Sequence, residues 1–331
     1  MDEIRGVGMQ CSGGVGNPTV TELAGPHNEE VRHLRGVLLK EKIMIRFTAD
    51  HHYVIGHEHV LSGKPCQDHA HVTVAPDFAG AFVSDGCSSG GETDIGARVL
   101  TRSTARAALM HWSIAGSLPD PATLNVEQRL VAIDVGRGLG LSFDDMLATS
   151  AYVLLTRGGG YAHLVGDGVI AYRKRDGRIF LARYDWANNM PCYPVYGEDE
   201  YAGFIKAHGN DPEEKAFTHE EWVWYPDRGF THMHTIPMTI AAGIRGAHMY
   251  FDAIALHEEI DTVAVFTDGV TRIDGMDWKD AALALLAFKQ PAGAFVKRRL
   301  QRFQKDVRTT GKGPLDDLGY AAIRIANDPE E

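Results

Sequence analysis

Val263-Ala-Val-Phe-Thr-Asp268-Gly269 reads as a short apolar strand that stops on a carboxylate followed by glycine. Two more stretches repeat the pattern: Ala81-Phe-Val-Ser-Asp85-Gly86 and Ala162-His-Leu-Val-Gly-Asp167-Gly168. A fourth acidic site, Asp316-Asp317, stands just before the last apolar run, Tyr320-Ala-Ala-Ile-Arg-Ile325. A carboxylate at the end of a buried strand is held rigidly, and several such ends from one sheet can converge on a point. Aspartate oxygens gathered with few nitrogen or sulfur donors favour hard divalent cations, Mg²⁺ or Mn²⁺. The glycine after each aspartate lets the chain turn away and lets a backbone carbonyl or a phosphate come close. The pattern points to an oxygen-only, multi-metal site for phosphate chemistry.

Asp-Gly after a strand is also the usual signature of a tight hairpin turn. Asp176-Gly177 fits that simpler account, since it bridges two strand-like runs between Lys174-Arg175 and Arg178. The other three pairs each follow about four apolar residues. After Asp85 and Asp268 the pattern turns helical instead of returning at once as a strand.

The chain has 331 residues, of which 44% are apolar and 23% charged, ordinary values for a globular enzyme. This length accommodates two average domains or one large β-sandwich. A formal net charge of −11 with no offsetting basic stripe argues against a nucleic-acid partner. Lys297-Arg298-Arg299, Arg302 and Lys305 recur at helical spacing and suit a solvated helix face. The four cysteines, at 11, 66, 87 and 192, form neither a CxxC pair nor a disulfide framework. The start lacks the order of a signal peptide, and no apolar run approaches the ~20 residues of a membrane span. The expectation is a cytoplasmic protein with reduced thiols and no membrane partner.

Residues 1–42 read as a partly irregular N-terminal extension broken by glycine and proline, with a short helix over 28–39. Strands are expected at 43–47, 53–55, 71–74 and 80–84. Helices follow over about 92–112 and 126–135, the second capped by Asn125 with Gln128 at capping-box spacing. The Gly136-Arg-Gly138-Leu-Gly140 stretch leaves a helix and has no Lys-Ser/Thr after it, so it is not a phosphate loop. A meander of strands runs over 150–156, 161–165, 169–174 and 179–182. Residues 184–235 mix Trp, Tyr, Pro, His and acidic residues without period and read as an irregular flap. Strands at 235–241 and 262–266, helices over 278–288 and 292–307, and a closing strand complete the chain. The fold class is α/β, layered as α+β, a sandwich of strands with paired helices.

With these motifs in place, the chain resembles the type 2C metal-dependent Ser/Thr protein phosphatases (the PPM family), the bacterial-type branch in particular. Gly63-Lys-Pro-Cys-Gln-Asp68-His-Ala70 looks like the first motif and Val83-Ser-Asp-Gly-Cys-Ser-Ser-Gly-Gly91 like the Asp-Gly-x-Gly-Gly signature, with two extra residues. Val165-Gly-Asp-Gly168, Phe266-Thr-Asp-Gly269 and Leu315-Asp-Asp-Leu318 match the three later motifs in order, over roughly residues 50–325.

The resemblance implies an antiparallel β-sandwich flanked by pairs of helices over 43–331, with 184–235 as its variable flap. It implies two Mn²⁺ or Mg²⁺ ions bridged by Asp85, with the Gly86 carbonyl as a further ligand. Asp268 and Asp316 would complete one metal, Asp68 would hold metal-bound waters, and Asp167 would serve a third, weaker ion. The implied activity is hydrolysis of phosphoserine and phosphothreonine in a protein substrate by a metal-activated water, with Asp85 and Asp268 catalytic. The family's phosphate-binding Arg is replaced by Gly63, and Lys64 beside it would act as a point charge without the bidentate fork. Cys87 stands where some members carry His, Ala148-Thr-Ser150 replaces Gly-Thr-Thr, and Asp317 stands where Asn is common.

That missing Arg leaves a second class open: a non-catalytic phosphatase fold that binds a partner or senses a ligand and keeps its metal site. A histidine-built zinc site is a further alternative. His57-Glu-His59, His69-Ala-His71 and His232-Met-His234 would each place two imidazoles on one strand face, but no HExxH or cysteine cluster accompanies them. Cys66 and Cys87, close to Asp68 and Asp85 in sequence, raise the thought of redox control, against which two small buried thiols are the simpler account.

Overall fold

The computed structural model describes residues 44–290 and 292–328. The expected extension 1–42 and its helix lie outside the described residues. In chain order the elements are β1 (Met44–Val54), α1 (His57–Ser62), β2 (His69–Ala75), β3 (Phe78–Ser84), α2 (Thr93–Ala115), α3 (Pro121–Gly138), β4 (Ser150–Thr156), β5 (Gly159–Val165), β6 (Gly168–Lys174) and β7 (Ile179–Trp186). There follow α4 (Glu198–Ala207), β8 (Phe217–Tyr225), β9 (Gly229–Met238), α5 (Ile240–Arg245), β10 (Ala247–Asp252), β11 (Ile260–Phe266), α6 (Trp278–Leu286), α7 (Phe295–Val307) and β12 (Leu318–Asp328).

The strands form two antiparallel sheets, one ordered β1-β12-β11-β6-β7-β8-β9 and the other β10-β5-β4-β3-β2. Between them lies a core that joins Val263, Val265 and Ile323 of the larger sheet to Ala81, Val153 and Ala162 of the smaller. Alternate residues of the same strands face outward and are buried too. Phe266 and Tyr320 pack under Leu285, Phe295 and Leu300 of α6 and α7. Phe82 and Tyr152 pack under Ala105, Ala108 and Leu124 of α2 and α3. Covering both faces is what makes these strands read as unbroken apolar runs, and each large side chain so buried contributes about 1.5–3 kcal/mol. The architecture is the α+β sandwich flanked by helix pairs that the resemblance implies.

Several local expectations are corrected. The strands expected at 43–47 and 53–55 are one strand, β1, and α1 and β10 were not expected. The second helix starts earlier, because Asp120 accepts a hydrogen bond from Thr123 N at 3.0 Å and Pro121 occupies the first turn. Asn125 and Gln128 lie inside that helix and hydrogen-bond each other at 2.9 Å instead of capping it. The strand expected at 235–241 splits into the end of β9 and α5. The segment 184–235 is largely regular, holding α4, β8 and most of β9, because its aromatic residues pack on the large sheet. Asp176-Gly177 is the tight turn between β6 and β7, closed by Gly177 N donating to Lys174 O at 3.0 Å.

Strand direction explains why the acidic ends meet. β3 and β5 are both antiparallel to β4, so they run the same way and both end at one edge of the small sheet. β2 begins beside the end of β3, with His69 paired to Ser84. In the large sheet β11 ends where β6 and β12 begin, Phe266 pairing with both Val169 and Tyr320. The chain passes from one sheet to the other at Gly166-Asp167-Gly168. There Gly168 takes φ +140° with Phe266 O only 2.6 Å from where a Cβ would stand.

The start of β12 is fastened to the rest by Asp317, which is 2% exposed. Its carboxylate accepts from Gly56 N at 2.7 Å and from Gln67 N at 2.6 Å, and His59 Nδ1 joins it at 2.8 Å. Replacing it with Ala would leave buried donors unpaired. Asp317→Ala is therefore expected to lower the unfolding free energy by about 3 kcal/mol in urea titrations. Asp317→Asn, which keeps one accepting oxygen, should cost less.

Candidate metal centre

The convergent edge brings Asp68, Asp85, Asp167 and Asp268 together. Asp68 and Asp167 are buried, at 1% and 5% exposure, while Asp85 and Asp268 reach the surface in part. Side-chain hydrogen bonds join Asp68 to Asp85 and Asp85 to Asp268. Asp68 Oδ2 also accepts from Thr267 Oγ1 at 2.5 Å, and Thr267 in turn accepts from Gly319 N at 2.8 Å. The Asp85 backbone is fixed by Thr149, whose Oγ1 accepts from Asp85 N at 3.0 Å and whose N donates to Asp85 O at 2.8 Å. Gly86 fits where a Cβ would come within 2.6 Å of Thr93 O.

Removal from water is the largest influence on each of these groups. It pushes the carboxyls of Asp68, Asp85 and Asp167 well above the usual range, and neighbouring carboxylates push the same way. Asp317 and Asp268 act on Asp68; Asp68, Asp268 and Asp167 act on Asp85; Asp268 and Asp185 act on Asp167. Asp268 is pushed up to about 6 by burial and by Asp316, with Arg272 opposing. Each proton that a carboxyl of this cluster retains removes one of the mutually repelling charges.

Asp316 differs from the other four. Its Oδ2 accepts from Arg272 Nη1 at 2.5 Å and its Oδ1 from Asp317 N at 2.9 Å. Arg272 also reaches Glu58 at 3.0 Å, and its charge is favoured by Asp316, Glu58 and Asp268 despite burial. Lys64 Nζ donates to Ser88 O at 2.7 Å, over the loop that follows Asp85. With Gln67, Ser88 and Glu92 it lines a cleft of about 420 Å³. Burial pushes the Cys66 thiol up. At Cys87 burial acts the same way, but hydrogen bonds from Ser89 and Tyr193 outweigh it and bring the thiol below its usual range.

Sequence reasoning missed Arg272, Thr267 and Asp185. Arg272 lies four residues beyond Asp268, a basic side chain close to an acidic motif, a signal that was available. Asp185 has no motif around it and enters only through the pairing of β6 with β7. Among the described residues, none of the three histidine pairs gives two imidazoles to one candidate metal group. His57 and His59 lie on a helix, not a strand, and His59 is bound to Asp317. His232 pairs with Trp222 and His234 with Glu221, adjacent residues that point to opposite faces. His69 and His71 share β2 but belong to no trio of ligand atoms at metal spacing.

The carboxylate edge suits a hard divalent cation on two observations. Its donors are oxygens alone, and Asp167 Oδ1 is buried with no hydrogen-bond partner. Among the described residues, no three of these carboxylates offer oxygens that all lie within 4.8 Å of one another.

The sequence model of the family "Protein phosphatase 2C" matches residues 55–310. No curated protein sequence matches the chain. Solved structures similar to it include a bacterial serine phosphatase, 11% identical, covering 86% of this chain and 100% of its own, with a TM-score of 0.48. The serine/threonine phosphatase Stp1 from Staphylococcus aureus is also 11% identical, with 86% and 95% covered and a TM-score of 0.48. The catalytic domain of the phosphatase PstP, in complex with two manganese ions, is 15% identical, with 86% and 99% covered and a TM-score of 0.44.

The proton on Asp268 gives a test of the cluster. With an ordinary value of 3.8 and a folded value of about 6, it supports the fold fully below about 3.8, and that support is lost as the pH rises through about 6. In chelator-treated protein near neutral pH, Asp268→Asn should therefore be more stable than the unsubstituted chain by on the order of 1 kcal/mol. The advantage should vanish below about pH 4. Thermal unfolding at the two pH values reads the difference, and an advantage independent of pH would show that Asp268 is not held under repulsion.

Proposed function

The chain belongs to the protein phosphatase 2C family, and from that premise we propose that it is a cytoplasmic, metal-dependent phosphatase for phosphoserine and phosphothreonine in protein substrates. The observation that carries this reading is the gathering of Asp68, Asp85, Asp167 and Asp268 at one sheet edge, with their carboxyls pushed up by burial and by one another. Mn²⁺ or Mg²⁺ bound there would supply a water nucleophile active at neutral pH and neutralise phosphate charge. In this reading Asp85, Asp268 and Asp316 with the Gly86 carbonyl would hold two ions, Asp68, positioned by the hydrogen bond it accepts from Thr267, would hold metal-bound water, and Asp167 would serve a third ion.

The remaining roles fall to neighbouring residues. Lys64, poised over the loop after Asp85, meets the phosphate as a point charge. Arg272 shares Asp316 and so tempers the negative charge of the edge. Tyr193, from the segment 184–235, hydrogen-bonds Cys87 and feels the charges of Asp85 and Asp167, which supports a place for that segment beside the site. No covalent attachment of phosphate to the protein is required.

A second reading, a sensor that keeps the ions and has lost turnover, is favoured by Gly63 in the place of the family's phosphate-binding Arg and by the engagement of both Asp316 oxygens. Hydrolysis of a phosphothreonine peptide and of an aryl phosphate, with and without Mn²⁺ or Mg²⁺, separates the two. Metal-dependent turnover that falls by at least about a hundredfold in Asp85→Asn is expected. Absence of turnover with ions still bound in calorimetry would favour the sensor.

A further inference from the structure

The hairpin of β8 and β9, at the far edge of the large sheet, carries a second group of ligand-type side chains. His219 and Glu221 are two apart on β8 and share a face, and Glu221 pairs in register with His234 of β9. The next pair is Trp222 with His232, so Met233 is the extra residue of a bulge. Among the described residues, His219, Glu221 and His234 are the one set of His, Cys, Asp or Glu whose ligand atoms all lie within 4.8 Å of one another.

The distances suit one small ion. His219 Nε2 stands 3.4 Å from Glu221 Oε1, and His234 Nε2 stands 3.3 Å from Glu221 Oε2. Ligands at ~2.0–2.1 Å from a tetrahedral zinc are about 3.3–3.4 Å from each other. The simpler account is a pair of imidazole–carboxylate hydrogen bonds. It fails on direction, because both Nε2 atoms are buried and neither makes a hydrogen bond. Two buried polar atoms without partners cost the fold free energy, and shared coordination to a cation would satisfy both.

The surroundings hold the group in place. The His219 ring is 2% exposed and stacks on Tyr184 at 4.7 Å and 6°. Glu221 and His234 border a cavity of about 220 Å³ walled by Tyr172, Phe180 and Met249. His234 is about one-third exposed on its side chain and leaves a way in from solvent.

We propose that His219, Glu221 and His234 form a binding site for a divalent first-row transition cation, zinc foremost, separate from the carboxylate edge. Two nitrogens and one carboxylate select such an ion over Mg²⁺, which prefers oxygen alone. The ion would pin β8 to β9 across the bulge and leave one coordination position to water or an incoming group.

The test is calorimetric titration of the full chain with Zn²⁺ in excess Mg²⁺, together with the visible spectrum after Co²⁺ addition. One equivalent of zinc should bind. Its affinity should fall at least ~10-fold in Glu221→Gln and in His234→Ala, since losing a direct ligand costs no less than losing a group that only orients one. The d–d bands of Co²⁺ should disappear in the same two variants and persist in Asp268→Asn. Zinc affinity equal in all these proteins, or lost only in Asp268→Asn, would overturn the proposal. His234→Ala changes a side chain near solvent at a sheet edge, and an unchanged circular dichroism spectrum confirms that lost binding is not lost folding.

Discussion

Mutual repulsion among Asp68, Asp85, Asp167 and Asp268 is the constraint around which this sandwich is arranged. Two unit charges 4 Å apart interact by about 4 kcal/mol at an effective dielectric near 20. A domain's whole stability is about 5–15 kcal/mol, so such a cluster survives only where the backbone cannot relax away from it. Five strand ends supply that rigidity, each set by register within a sheet whose two faces are both covered. Proton sharing between carboxyls relieves part of the strain, and Arg272 relieves another part at Asp316.

Neighbouring carboxylates are given opposite tasks by their surroundings. Asp317 points into the protein and is consumed by Gly56, His59 and Gln67, while Asp316, one residue earlier, faces Arg272. The sequence places them side by side, and only the pairing of β12 between β1 and β11 decides which is a fastener. Asp68 is likewise tied to structure, through Thr267 and Gly319, so the mouth of the site and the start of β12 move as one unit.

Much of this was legible in the chain. Apolar runs ending on Asp-Gly marked β3, β5 and β11, and the order of the acidic motifs marked the family. Boundaries were lost where local signals competed: Asn125 and Gln128 looked like a cap, but Asp120 with Pro121 is the stronger one. The strands β8 and β9 were hidden because Trp222, Trp224 and Phe230 pack on one face while acidic and histidine residues fill the other. The expectation for paired histidines assumed extended backbone, which α1 and the bulge at Met233 both break. Asp185 and Arg272 are tertiary neighbours of the cluster, and no spacing in the sequence announces the first of them.

The irregularity at Met233 also bears on how copies of the chain behave toward each other. Among the described residues β9 is the last strand of the large sheet, with a partner strand on one side only. A flat strand there would be a template for adding strands from other molecules. The bulge breaks its repeat, and Pro237 removes a donor near its end. An edge made irregular in this way is a poor template for strand addition.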